Sequence, residues 1–127
     1  MGLTKPQIEQ LAKHIIGIAI EVHKKLGPGF AEKIYQRILY LEFKRRGLKF
    51  ERECKITVVW NKSVVGYHIV DFIVGDEIIV EIKATGETQE IHKYQLLSYL
   101  KAANKRLGLL LNFGSPILGI KRVVNNL

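Results

Sequence analysis

The chain has 127 residues, 47% of them apolar and 25% charged, with 20 Lys and Arg against 12 Asp and Glu for a net charge of +8. A chain of that size can bury one core, and its lone cysteine, Cys54, excludes an internal disulfide framework and a multi-cysteine zinc centre. The longest apolar candidate for a membrane helix, Ile15 to Ile20 between His14 and Glu21, falls far short of the roughly 20 residues a span needs.

Met1 to Gln10 offers no apolar core before a small-residue cleavage site, so neither a secretory leader nor a membrane partner is expected, and a reducing cytoplasm suits the cysteine usage. The cationic excess fits a polyanionic partner or a plainly solvated basic surface, and charge alone leaves both open. Lys44, Arg45, Arg46, Lys49 and Arg52 form one basic run and Lys101, Lys105 and Arg106 another. No repeat, low-complexity tract or flexible linker interrupts the chain, which predicts one continuous domain over residues 1–127.

Pro6 suits a first helical turn, after which Ile8, Leu11, Ile15, Ile18 and Val22 recur at helical steps until Gly27, Pro28 and Gly29 stop them. A second helix is predicted from Phe30 to Arg46, with Ile34, Tyr35, Ile38, Leu39, Leu41 and Phe43 on a wide apolar face and Gly47 as its stop. Glu32 falls at the start of that stripe, either as a functional carboxylate or as a charge favourably placed at a helix N-terminus. Leu48 to Trp60, Val64 to Val74 and Ile78 to Lys83 then read as three antiparallel strands, separated by the turns Asn61-Lys62 and Gly75-Asp76. A third helix is predicted from Thr88 to Ala103, burying Leu96, Leu97, Leu100 and Ala103, followed by strands Leu107 to Asn112 and Ile120 to Val124. A crossover helix between strands implies an α/β fold, a mixed sheet with an antiparallel meander flanked by helices.

Asp71 sits inside Ile69-Val70-Asp71-Phe72-Ile73-Val74, and Glu81 with Lys83 inside Ile78-Ile79-Val80-Glu81-Ile82-Lys83. Charges in such apolar strands are costly unless paired or bound to a metal. Glu81 and Lys83, two apart, share a face. A three-residue loop of Gly75, Asp76 and Glu77 would set Asp71 opposite Glu81, whereas a two-residue loop would turn it away, so the hairpin register decides whether a site exists. Two adjacent carboxylates call for a hard cation, Mg²⁺ or Mn²⁺ rather than zinc, beside which Lys83 would position or activate a water. A Lys-carboxylate bridge between strands is the alternative.

Asp71 followed ten residues on by Glu81-Ile82-Lys83 resembles the D…ExK core of the PD-(D/E)XK nuclease superfamily. Gly29-Phe30-Ala31-Glu32-Lys33-Ile34-Tyr35 is similar to the signature of the GxxExxY proteins within it, and Gln95-Leu96-Leu97-Ser98-Tyr99 resembles the QxxxY element of RecB-like nucleases. The resemblance implies that Asp71 and Glu81 bind the metal with the backbone carbonyl of Ile82, and that Glu32 contacts a metal-bound water or a second ion. It further implies that Lys83 serves the nucleophile and that Gln95 orients the site or a phosphate. Tyr35 and Tyr99 would support the site, and His23 and His92 would be structural or stand behind the ligands. The implied activity is phosphodiester hydrolysis, in DNA rather than RNA, with Lys44, Arg45 and Arg46 binding nucleic acid. The other reading is a catalytically silent nucleic-acid-binding or regulatory module on the same fold. A chain this small leaves room for a homodimer or a partner protein in recognition.

Overall fold

Thr4 starts the first helix: its hydroxyl accepts the Gln7 N–H at 3.3 Å while the Gln7 side chain accepts the Thr4 N–H at 2.8 Å, a reciprocal capping box with Pro6 in the first turn. In this computed structural model, which describes residues 2–127, helix α1 then runs over Lys5–Leu26 and buries Ile8, Ala12, Ile15, Ile18, Ala19 and Val22.

The connection to the next helix is held by a tyrosine. Gly27 and Gly29 have φ of 70° and 118°, a region that costs glycine little. The Tyr35 hydroxyl donates to the Gly27 carbonyl at 2.6 Å and accepts the Phe30 N–H at 3.3 Å, while its ring stacks on Phe113. Because Phe30 belongs to this loop, α2 begins at Glu32 instead of Phe30 and spans Glu32–Arg45. Its buried stripe is Tyr35, Gln36, Leu39 and Phe43; Ile34 and Leu41, expected on the apolar face, are exposed. Gly47, at φ 72°, lets the chain turn back so that the Leu48 N–H reaches the Phe43 carbonyl. Leu48 is thereby used in ending α2, and the first strand starts two residues later than expected.

The strands are β1 (Phe50–Trp60), β2 (Ser63–Val74), β3 (Ile78–Lys83), β4 (Leu107–Asn112) and β5 (Gly119–Val124), in spatial order β1-β2-β3-β4-β5. All neighbours are antiparallel except β3 and β4, which run parallel because α3 (Glu90–Ala103) crosses between them. The mixed α/β sheet expected from the order of elements is therefore present.

Helices α1 and α2 cover one face, packing on Phe72, Val74, Val80, Ile82, Leu109 and Leu111. Leu96 and Leu100 of α3 cover the other, against Cys54, Ile56, Val70, Ile79 and Leu110. Leu97 and Ala103, expected in that core, are only half-buried. Gly108 lets α3 come close, since a Cβ there would lie 2.8 Å from the Leu96 side chain. Among the described residues no helix is long and apolar enough to cross a membrane.

The Tyr35 tether generates a stability prediction. Tyr35→Phe keeps the ring stack but leaves the Gly27 carbonyl without its hydroxyl donor, and should cost about 1–2 kcal/mol. Urea unfolding measures it; an unchanged midpoint would mean that the hydroxyl bond does not hold the loop.

Candidate active site

Two strands change sides where the charges lie. Val70 packs on the α3 side and Phe72 on the α1–α2 side, although residues two apart on a regular strand share a face. The chain therefore turns over at Asp71. Across from it in β1 is Glu53, with φ of 54°, lying between the pairs Arg52↔Phe72 and Cys54↔Val70 but outside the pairing itself. On the other side, the loop of Gly75, Asp76 and Glu77 sets Val74 against Ile78, and the β2–β3 ladder ends at Phe72↔Val80. This is the three-residue register on which a shared site depended.

Beyond the ladder's end the two acidic side chains substitute for backbone acceptors. The Asp71 N–H donates to Glu81 Oε1 at 2.9 Å, and the Ile82 N–H donates to Asp71 Oδ2 at 2.8 Å. Each carboxylate is thus held by the strand opposite its own. Asp71 Oδ1 accepts a third bond, from Gln36 Nε2 of α2 at 2.7 Å.

Glu81 is 7% exposed. Burial and the neighbouring Asp71 carboxylate push its pKa from the ordinary 4.5 up to about 7; the Asp71 N–H and the Lys83 charge oppose the rise, and Glu32 adds to it. Glu32 itself is exposed in the first turn of α2, a favourable place for a negative charge, so it addresses the site from its mouth and not from within a buried stripe. Lys83 is half-buried, and Glu81 and His68 both feel its charge. Among the described residues Lys83 closes no ion pair; the ring beside Glu81 is that of His68, its Nε2 3.7 Å from Oε2.

His68 and Gln36 are site residues that sequence reasoning missed. The His68 ring stacks on Tyr99, with ring centres 4.0 Å apart and planes 10° from parallel. Burial, then Lys83, lower the pKa of His68 against the pull of Asp71, so it is neutral near pH 7. Burial and Glu81 raise that of the Tyr99 hydroxyl. Gln36 lies four residues after Glu32, one helical turn further on the same side, and that spacing was the available signal.

Other expected residues stand elsewhere. Gln95 is exposed on α3 and makes no hydrogen bond to the site among the described residues, while Tyr99, four residues on, is half-buried against His68. Tyr35 braces the loop before Glu32. His23 is buried with Nε2 2.8 Å from the Ser115 carbonyl, and His92 Nδ1 accepts the Gln89 N–H at the start of α3. Of the basic run, Arg45 pairs with Glu42 and Arg46 with Glu21, while Lys44 lies 5.9 Å from the Tyr40 ring centre. All three sit at the end of α2 away from Glu32, roughly 18 Å along its axis. Two of the three charges are thus engaged internally.

Among the described residues no three His, Cys, Asp or Glu side chains gather around one point. Asp71 and Glu81 nevertheless offer oxygen donors alone, each carboxylate keeping lone pairs beyond its N–H bond. Gln36 Oε1 is buried without a partner beside Asp71, a free acceptor where a water on such an ion would donate. The residues fit a hard cation.

The PD-(D/E)XK nuclease superfamily model matches residues 9–123, and the chain belongs to that superfamily. The crystal structure of SSO0001 aligns with a TM-score of 0.58 at 20% identity, covering 76% of this chain and 51% of that one. The crystal structure of an alkaline exonuclease (LHK-Exo) from Laribacter hongkongensis aligns with a TM-score of 0.53 at 12% identity, covering 98% of this chain and 73% of that one. At these identities the likeness is one of fold. This chain spans about half the length of SSO0001. No curated protein matches the sequence.

Glu81 links stability to pH. Its folded form holds a proton more tightly than the unfolded chain does, so this contribution is full below about 4.5 and is lost as the pH rises through about 7. Without divalent cations the melting temperature should fall between these values, the loss from this group being on the order of 3 kcal/mol. Glu81→Gln should flatten the fall. Added Mg²⁺ should raise the melting temperature of the wild type at pH 8 and not that of Asp71→Ala; equal rises in both would place the ion elsewhere.

Proposed function

We propose that this chain is a Mg²⁺- or Mn²⁺-dependent nuclease of the GxxExxY kind, one domain over residues 1–127, that hydrolyses phosphodiester bonds in DNA in preference to RNA. The observation that carries the reading is the reciprocal hold of Asp71 and Glu81 on each other's strands, which keeps two carboxylates together at a turning point of the sheet. A purely structural pair at that position would favour one acid and one base. The GxxExxY spacing has a physical use: Gly29 permits the turn, Tyr35 fixes it, and Glu32 is thereby presented at the head of α2.

Asp71 and Glu81, with the Ile82 carbonyl, would hold the ion. When bound it would polarise a phosphoryl oxygen and lower the pKa of a water. Gln36 fixes the Asp71 carboxylate and has a free oxygen for a water on that side. Lys83, beside Glu81, orients the attacking water and takes part in its deprotonation. His68, neutral and stacked on Tyr99, can hold a proton at Nε2 next to Glu81. Glu32 serves a water at the mouth of the site.

The test is cleavage by purified protein across single-stranded, duplex and branched DNA and RNA with Mg²⁺, Mn²⁺ or chelator. Metal-dependent cleavage is expected, with Lys83→Ala retaining binding and losing roughly 10²- to 10⁴-fold in rate. Wild-type protein that binds but cuts nothing would make the chain a silent binding module. Lys83→Ala cutting at the wild-type rate would remove Lys83 from the mechanism.

A further inference from the structure

The first hairpin outgrows the sheet. β1 and β2 stay paired out to Trp60↔Ser63, but β3 joins β2 only from Phe72 onward, so the stretch before Asp71 projects as a two-stranded ribbon. Its turn, Asn61-Lys62, has φ of 46° and 68°. Exposed on it are Trp60 at 71%, Tyr67 at 63% and Val64 at 69%, with Val59, Val65 and Ile69 beside them. Strand parity puts Val59, Val64, Tyr67 and Ile69 on one face of the ribbon and Trp60, at its tip, on the other, and a projecting ribbon this apolar marks an interaction surface.

The charge pattern says what kind. Residues 54–70 contain no Asp or Glu, while Lys55 and Lys62 are both in the ribbon. The Lys55 ammonium lies 4.4 Å from the Tyr67 ring centre, so cation and aromatic face form one unit. A second copy of this +8 chain would bring those lysines against like charge. A polyanion with flat apolar groups matches both features.

Tyr67 and Ile69 stand four and two residues before Asp71, so the ribbon runs into the turning point of β2 where the two carboxylates lie. From Asp71 to the turn the strand extends roughly 30 Å. The run Lys44, Arg45 and Arg46, by contrast, lies at the far end of α2 with two of its charges paired.

We infer that the β1–β2 ribbon is the element that receives an unpaired nucleic-acid strand, which wraps its tip with one base stacking on Trp60 and another on Tyr67, phosphates meeting Lys62 at the turn and Lys55 beside Tyr67, and the strand fed toward Asp71 and Glu81. The inference rests on the nuclease reading and adds to it the form of the substrate and the surface that takes it. An unpaired strand is selected because open aromatic rings serve exposed bases, which a duplex keeps stacked inside.

Trp60 is the sole tryptophan and therefore reports on the ribbon alone. The full chain in EDTA is titrated with an unpaired DNA strand of roughly 12 nucleotides, its RNA counterpart, and the same DNA as duplex, while Trp60 emission and the anisotropy of the labelled nucleic acid are followed. Saturable quenching by the unpaired strands is expected, tighter than with duplex. Tyr67→Ala should weaken binding about tenfold, the loss of one base stack, and Lys62→Ala should reduce the salt slope by about one. Both side chains are exposed, so these variants should fold. Binding seen by anisotropy without a change in Trp60 emission, or no binding, overturns the inference. So does a Trp60 shift on raising protein concentration alone, with dimers in sedimentation, which would make the ribbon a protein interface. Metal-dependent cleavage without Trp60 quenching sinks the ribbon and leaves the nuclease reading; quenching with no cleavage under any metal does the reverse.

Discussion

The site depends on one exchange: at Asp71 and Glu81, carboxylate oxygens replace carbonyls as the acceptors of backbone N–H groups across β2 and β3. The exchange ends the regular ladder at Phe72↔Val80, places the two acids against each other and lets β2 turn from one face of the sheet to the other. It also concentrates negative charge where water is scarce. Glu81 responds by holding its proton up to about 7. A cation held between the two acids would remove the same conflict, so the strain of the metal-free site and its proposed chemistry have one source.

The helical layer serves this exchange. Tyr35, buried against Phe113, fixes the loop through Gly27 and sets the start of α2 at Glu32. One turn on, Gln36 reaches the remaining oxygen of Asp71. On the opposite side α3 closes over the sheet with Leu96 and Leu100, and its Tyr99 presses on His68 beside Glu81. The site is thus gripped between helical layers on the two faces of the sheet.

Much of this was legible in the sequence because strand parity and turn length are local rules. Charged residues two apart in β3, and a loop whose length fixes register, brought Asp71 and Glu81 against each other on paper, as their hydrogen bonds do in the fold. What local rules did not contain was side-chain geometry across layers. His68 becomes part of the site because Tyr99 docks on it from another element, and Gln95, one turn before Tyr99, is exposed. The basic run looked free because Glu21, the partner of Arg46, is 25 positions away on α1. Glu32 lay on an apparent apolar stripe, yet the glycine loop shortened the helix and left it exposed.

Carboxyl ¹³C NMR of glutamate-labelled protein, with the Glu81 resonance identified by its loss in Glu81→Gln, reads the conflict between the two acids directly. The account predicts that Glu81 titrates with a midpoint of about 7 without divalent cation, and well below that value when Mg²⁺ saturates the site. A midpoint at the ordinary 4.5, unchanged by Mg²⁺, would contradict it.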